Sequence, residues 1–235
     1  PFKWPIKNFK NWLIDQLGKS GVKVLMNTEP TAQMIRAGGF DAVIAATGAK
    51  INVPDIPGLK NEDGTLKENC FTWAEAARHP EKLGKNVVVV GGSEVGTETA
   101  MYLCGLGHDV TVLTRQNRIA HNASGLHYIT MAFVKAGPNG EAREAPAWEM
   151  YDNFTGVTGA KTVKIDGTTV TYQQEGAEKT VTGDSIVICG GMTQLTAEAY
   201  SYSGLTTEFY AIGDCNGAGN LEVCNREAYS RAMIL

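Results

Sequence analysis

The chain has 235 residues, 43% of them hydrophobic and 20% charged, with a formal net charge of −4. That balance belongs to a globular protein and excludes disorder as its main state. The slightly acidic total leaves no electrostatic footprint for nucleic acid or an anionic membrane, and no run of about 18 apolar residues is present to span a bilayer.

Residues 8–17 carry Phe9, Trp12, Leu13 and Leu17 at helical spacing and read as an amphipathic helix closed by Gly18 and Gly21. Residues 22–26 read as a short strand, and 31–37 as a short helix stopped by Gly38-Gly39. Residues 41–48, DAVIAATG, form an apolar run of strand length, which predicts a strand buried on both faces. From 49 to 83 the sequence reads as a connection holding one short helix over 73–78.

From Gly84 the pattern sharpens. Residues 86–90, NVVVV, are a β-branched run that fits a fully buried parallel strand. Glycines follow at once, then a helix over 94–106 and a second strand over 109–113, DVTVL, giving a β-α-β unit of about 30 residues. Segments 162–165, 169–173 and 179–181 are separated by Asp166-Gly167 and Glu175-Gly176, which predicts a small antiparallel meander. Residues 185–189, SIVIC, predict another buried strand ending at Gly190-Gly191. The last strand is expected over 209–212, with Gly213-Asp214 at its end, and the last helix over 222–233.

Glycine is over-represented, with 27 residues against 8 prolines, and this surplus suits backbone that approaches a ligand closely. The sharpest instance is VVVVGGSEVGTETA, residues 87–100. A strand that turns through Gly91-Gly92 into a helix presents free N–H groups and a partial positive charge to a pyrophosphate. Gly91 permits the turn and Gly96 lets helix and strand pack closely. Ser93 replaces the middle glycine of the G-x-G-x-x-G fingerprint; its hydroxyl can donate to a phosphate, but it hinders close backbone approach. Ser93, Glu94 and Val95 complete the loop. Glu98 either complements the helix dipole or lies beside a nicotinamide ring.

The end of the second strand bears on cofactor choice. An acid there would hold the ribose 2′-OH of NAD, whereas an arginine suits the 2′-phosphate of NADP. The sequence offers Thr114 and Arg115, with Arg118 beyond, which leans towards NADPH; solvated loop charges and NADH both stay open. Five cysteines, Cys70, Cys104, Cys189, Cys215 and Cys224, form no C-x-x-C. They argue against a disulfide framework, a metal site or a redox-active pair, and for a cytoplasmic setting.

Two small-residue motifs, Ala46-Thr47-Gly48 and Ala211-Ile212-Gly213-Asp214, flank the glycine loop in the chain. This ordered set resembles the two-dinucleotide-binding flavoproteins, in which an NAD(P)-binding domain is inserted into a FAD-binding domain. By that resemblance Thr47 and Gly48 match the exit from the FAD domain, and Gly213 and Asp214 the return to the flavin. Gly191 joins the cofactor contacts, Gly91, Gly92 and Gly96 form the NAD(P) loop, and Glu98 matches the acid that follows it. More closely, FDAVIAATGA, VVVVGGSEVGTETAMYL, GHDVTVLTRQ, DSIVICGGM and FYAIGDCNGAGN resemble, in order, the C-terminal half of the long Old Yellow Enzyme-like NADH:flavin oxidoreductases. That group includes 2,4-dienoyl-CoA reductase, 2-enoate reductases, bile-acid-inducible reductases and trimethylamine dehydrogenase.

The resemblance implies an α/β fold: a Rossmann-like NAD(P)-binding domain with a small meander, inserted into a truncated FAD-binding α/β domain. The expected parts are 1–57 and 190–235 for the FAD portion, 58–83 for a connection and 84–189 for the NAD(P) domain. It also implies NAD(P)H and FAD as cofactors. A barrel carrying FMN and a 4Fe–4S centre, together with the first FAD-binding segment, is expected in a preceding part of a longer protein. Before residue 9 there is no first glycine loop, and the sequence opens on Pro1 with no leader pattern. The chain therefore reads as a piece of such an enzyme, binding NAD(P)H and passing its hydride to a flavin, with no catalytic acid, base or nucleophile assignable. The rival readings are an ADP-like nucleotide-binding module without hydride transfer, and a thiol-dependent reductase, which would need the missing C-x-x-C.

Overall fold

The computed structural model describes residues 4–123, 132–136, 142–217 and 219–235. Helix α1 spans Trp4–Lys19 and α2 spans Ala32–Ala37, where the Thr31 hydroxyl accepts the Met34 N–H at the N-terminus. Strands β1 (Ala42–Ala45) and β2 (Ala49–Ile51) follow, then β3 (Cys70–Thr72) running straight into α3 (Trp73–Arg78). Next come β4 (Asn86–Val90), α4 (Glu94–Gly105) and β5 (Asp109–Leu113). Strands β6 (Ala132–Ala136) and β7 (Ala142–Pro146) form an antiparallel pair, and β8 spans Phe154–Val157. The meander is β9 (Lys161–Asp166), β10 (Thr169–Gln174) and β11 (Ala177–Thr182). Strands β12 (Ser185–Ile188) and β13 (Met192–Gln194), helix α5 (Thr196–Tyr200), β14 (Glu208–Ala211) and α6 (Leu221–Ala232) complete the chain.

The chain divides into two units, the first comprising Pro1–Thr47, Thr196–Gly213 and Ala218–Leu235, the second Gly48–Leu195 and Asp214–Gly217. In the second unit five parallel strands stand in the order β3-β12-β4-β5-β8. Side chains alternate across a strand, so an unbroken apolar run requires cover on both faces. Both faces are covered. Val87 and Val89 join Ala100, Met101 and Leu103 of α4, while Val88 and Val90 join Leu59, Ile165, Val170 and Tyr172 on the meander side. Burying one such valine contributes about 1.5–3 kcal/mol. The α/β class and the Rossmann-type parallel sheet with added antiparallel strands are as the sequence predicts.

The meander turns follow their dipeptides: Gly167, Glu175 and Gly176 all take positive φ, at 59°, 52° and 80°. Two strands of the parallel sheet have no clear sequence signal. Strand β3 lies within the stretch read as a connection, and β8 takes its place beside β5 although Gly156 interrupts its apolar pattern. Gly156 stays small because a Cβ there would stand 3.0 Å from Ile119 Cγ1.

In the first unit β1 pairs in parallel with β14, from Ala42 opposite Glu208 to Ala45 opposite Ala211. The strand is shorter and more open than its sequence suggests: Ala45 is buried, but Ile44 is 39% exposed, and its second edge has no partner strand among the described residues. Residues 22–26 form no strand, contrary to expectation, and no strand among the described residues pairs with them. The helix expected over 8–17 extends to Trp4–Lys19, yet no residue of it is buried. Buried hydrophobic side chains among the described residues of this unit are only Ile35, Ala45, Ala199 and Ile212, whereas Trp4, Trp12, Ile14, Tyr229 and Met233 are exposed.

Candidate functional site

The glycine loop lies where β4 turns into α4, at the carboxyl end of the parallel strands. Gly91 has φ 114°, a conformation open to glycine, and its N–H donates to the Leu113 carbonyl at 2.9 Å. A Cβ on Gly91 would strike the Cys189 backbone, 3.0 Å from its carbonyl carbon. A Cβ on Gly96 would fall on the Gly91 carbonyl oxygen and stand 2.9 Å from that carbonyl carbon. A Cβ on Gly92 would stand 2.9 Å from Thr114 Cβ and 3.1 Å from Val112 Cγ1. Gly91 and Gly96 thus let strand, turn and helix meet backbone to backbone, while Gly92 makes room for the side chains of β5 and Thr114.

Ser93 is the N-cap of α4 in extended conformation, but its side chain makes no capping hydrogen bond. The helix is anchored from below instead. The Thr97 hydroxyl donates to the Ser93 carbonyl at 2.9 Å and the Thr99 hydroxyl to the Val95 carbonyl at 2.7 Å, which satisfies two buried hydroxyls within the helix. Glu94, Val95 and Glu98 are half-buried around the first turns. Beneath the loop Cys189 is buried, with its thiol pushed up to about 12 by desolvation against a smaller opposing effect of the Thr99 hydrogen bond. Such a thiol fills space and is not a nucleophile.

Thr114 occupies the position beside the loop that the sequence assigns to ribose recognition, but it is only 3% exposed. Its N–H donates to the Val157 carbonyl at 2.9 Å, its carbonyl accepts from Ala160 at 2.8 Å, and its hydroxyl accepts the Gln116 N–H at 3.3 Å. Thr114 is therefore a wall of the site. Arg115, next in the chain, is exposed and makes no ion pair among the described residues. The Arg118 guanidinium donates to the His121 carbonyl at 2.7 Å.

Sequence reasoning missed the turn that follows. The Ala120 N–H donates to the Gly92 carbonyl at 2.9 Å, and Asn122 Oδ1 accepts the Glu94 N–H at 2.8 Å. These residues stand 28 positions apart in the latter pair, so no local capping pattern announces the contact.

The remaining candidates lie apart from the loop in sequence. Gly48 (φ 76°) and Gly191 (φ 87°) sit at opposite ends of the two-stranded β2–β13 ribbon in the second unit, where the Gly48 carbonyl accepts from Leu195 and the Gly191 carbonyl from Asn52. Asp214 is the second residue of a short 3-10 turn, Gly213–Asn216. In the first unit Thr47 lines a largely apolar cleft of ≈ 510 Å³ with Pro30, Ile35, Phe40 and Tyr202. Gly213 (φ 71°) donates its N–H to the Glu227 carboxylate at 2.7 Å.

The turn at Gly91, Gly92 and Gly96, packed too closely for a Cβ at any of the three, sets the N-terminus of α4 at the strand ends, an arrangement that suits a nucleotide pyrophosphate. Residues 35–207 match the model of the pyridine nucleotide-disulphide oxidoreductase family. The chain belongs to that family.

Within it, the chain is 36% identical over 143 residues to an NADH oxidase of Thermoanaerobacter brockii, covering 58% of this chain and 21% of that protein. It is 25% identical over 240 residues to a bilirubin reductase of Mediterraneibacter gnavus, covering 100% of this chain and 34% of that protein. Among solved structures, 2-naphthoyl-CoA reductase in complex with 2-naphthoyl-CoA superposes with a TM-score of 0.69 at 25% identity, over 92% of this chain and 30% of that one. The chain thus spans about a third or less of these relatives. The family is one of flavin-dependent pyridine nucleotide oxidoreductases, which makes NAD(P)H and FAD its cofactors. Among the described residues no helix is long and apolar enough to cross a membrane.

Proposed function

We propose that the chain is the NAD(P)H-binding portion, with the trailing part of the FAD-binding domain, of an Old Yellow Enzyme-like NADH:flavin oxidoreductase. The observation that carries this is the glycine cradle: strand, turn, helix and second strand in register, with no room for a Cβ at Gly91, Gly92 or Gly96. Likeness to 2-naphthoyl-CoA reductase over 92% of the chain supports the narrower family.

NAD(P)H bound here supplies a hydride that a flavin accepts. The chain's own part is to bind and orient. Backbone N–H groups at the start of α4 receive the pyrophosphate, aided by the helix dipole. Thr114 walls the ribose end, Arg115 favours a 2′-phosphate, and Glu98 lies towards the nicotinamide. For FAD we assign Thr47 and Gly213 in the first unit and Gly48, Gly191 and Asp214 in the second, each by its match to the motifs of the resembled family. The few buried and many exposed apolar side chains of the first unit support its completion by further chain. In this reading 1–57 and 190–235 belong to the FAD domain, 58–83 connect and 84–189 form the NAD(P) domain; a barrel with FMN and a 4Fe–4S centre precedes them. The five free thiols suit a cytoplasmic setting.

The alternative, a module that holds an ADP-like ligand without hydride transfer, is favoured by Ser93 in place of glycine. Calorimetric titration with NADH, NADPH and ADP separates the two. Binding of NADH or NADPH at least ten-fold tighter than ADP is expected; equal affinity for all three would favour the module, and no binding of any would remove the site.

A further inference from the structure

Helix α4 begins with N–H groups that have no partner within the helix, and a pyrophosphate would need them. One is already taken. Asn122 Oδ1 accepts the Glu94 N–H at 2.8 Å. Glu94 is the first helical residue after the glycine turn, so this carboxamide oxygen stands where a phosphate oxygen would be received.

The turn that carries Asn122 is pinned independently of that bond. Ile119 is buried against Gly156, Ala120 takes φ 51° and donates to the Gly92 carbonyl, and the Arg118 side chain holds the His121 carbonyl. Asn122 itself is exposed. Its side chain can therefore rotate away about its own χ angles while the backbone stays in place. One residue earlier, His121 buries Nδ1 with no hydrogen-bond partner among the described residues, a cost that a ligand group would relieve.

We propose that Asn122 is a displaceable stand-in for the nucleotide pyrophosphate. Its carboxamide caps α4 while the site is empty and yields the Glu94 N–H to a phosphate oxygen on binding, so that this residue sets nucleotide affinity by competition. The inference rests on the reading of the glycine loop as a pyridine nucleotide site.

The competition has a signature that a merely structural role lacks. Asn122→Ala removes the competitor, so NADH and NADPH bind about three- to ten-fold tighter while the nucleotide-free protein melts at a lower temperature. Asn122→Asp keeps the cap and adds a negative charge beside the pyrophosphate. It raises the melting temperature of the free protein and weakens binding at least ten-fold, with part of the loss recovered at high salt. Both variants are titrated calorimetrically with NADH and NADPH beside the wild type, with melting curves alongside. Equal or weaker binding by Asn122→Ala overturns the proposal, as does unchanged or tighter binding by Asn122→Asp. A wild type that binds neither nucleotide overturns the reading of the site itself, and that result is visible before any variant is made.

Discussion

Substituting Gly96 by alanine sets two known effects against each other. In a helix interior alanine is favoured over glycine by about 1 kcal/mol, so an unobstructed Gly96→Ala would stabilise the protein. Here the new methyl group falls on the Gly91 carbonyl oxygen, stands 2.9 Å from that carbonyl carbon and 3.2 Å from Cys189 Cβ. The obstacle is backbone at the end of a central strand, whose N–H is held by Leu113, so it cannot rotate aside. Relief requires α4 to move off β4. Overpacking of this kind costs about 1–3 kcal/mol, and the lack of a flexible neighbour places it at the upper end. The net expectation is a loss of about 1–2 kcal/mol after the helix gain is deducted. For a chain of this size that lowers the melting temperature by roughly 2–8 °C. The same displacement moves the first helical N–H groups away from the phosphate, so NADH and NADPH affinity falls at least ten-fold. Urea unfolding and calorimetric titration read the two effects separately, and Gly96→Val should exaggerate both. A more stable Gly96→Ala protein with unchanged affinity would refute the close approach of α4 and β4 and remove Gly96 from the site.

Arg115→Ala should erase an NADPH preference of about ten-fold, measured by titrating both nucleotides, because an exposed guanidinium delivers only the low end of a charge-assisted bond; tighter NADH binding in the wild type, unaltered by the change, would make the arginine a bystander. Asn153→Ala should destabilise by about 1–3 kcal/mol without altering nucleotide affinity: its side-chain amide donates to the Cys104 and His108 carbonyls at 3.0 and 2.7 Å, at the far end of α4 from the loop. Glu75 is held below the usual glutamate value by the Thr72 N–H first and the Thr72 hydroxyl second. Its capping contribution is therefore present at neutral pH and is lost as pH falls through that lowered pKa, so the gap in urea midpoint between wild type and Glu75→Ala should shrink from pH 7 to about pH 3.

The glycine loop was legible because its constraint is local and covalent in order: a β-branched run, small residues, then a helix. The hairpin turns were legible for the same reason, each resting on a dipeptide that tolerates positive φ. Edge strands were not. Strand β3 has three residues and gains its identity from pairing with Ile186, Val187 and Ile188, more than 110 residues later. Residues 22–26 show the converse, a strand pattern with no partner strand among the described residues. The contacts of Thr114 and Asn122 were invisible for a related reason. Burial at the one and capping at the other arise from segments distant in sequence, and composition carries no trace of them.

The parallel sheet also sets when this protein can first recognise a nucleotide. Strand β12 lies between β3 and β4, and the Cys189 N–H closes the ladder on the Val90 carbonyl. The glycine turn is thus made before its floor, since the backbone beneath it emerges about 100 residues later. At ~5–20 residues per second a ribosome needs roughly 5–20 s to cover that interval. Throughout it β4 has a bare edge, and until residue 182 is made its valines also lack the complete meander that covers one face. A nascent chain stalled before residue 185 should consequently expose an unpaired, β-branched strand, the kind of segment that chaperones bind and that aggregates when left alone. Nucleotide cannot rescue it, because the partner that shapes the turn has yet to be made.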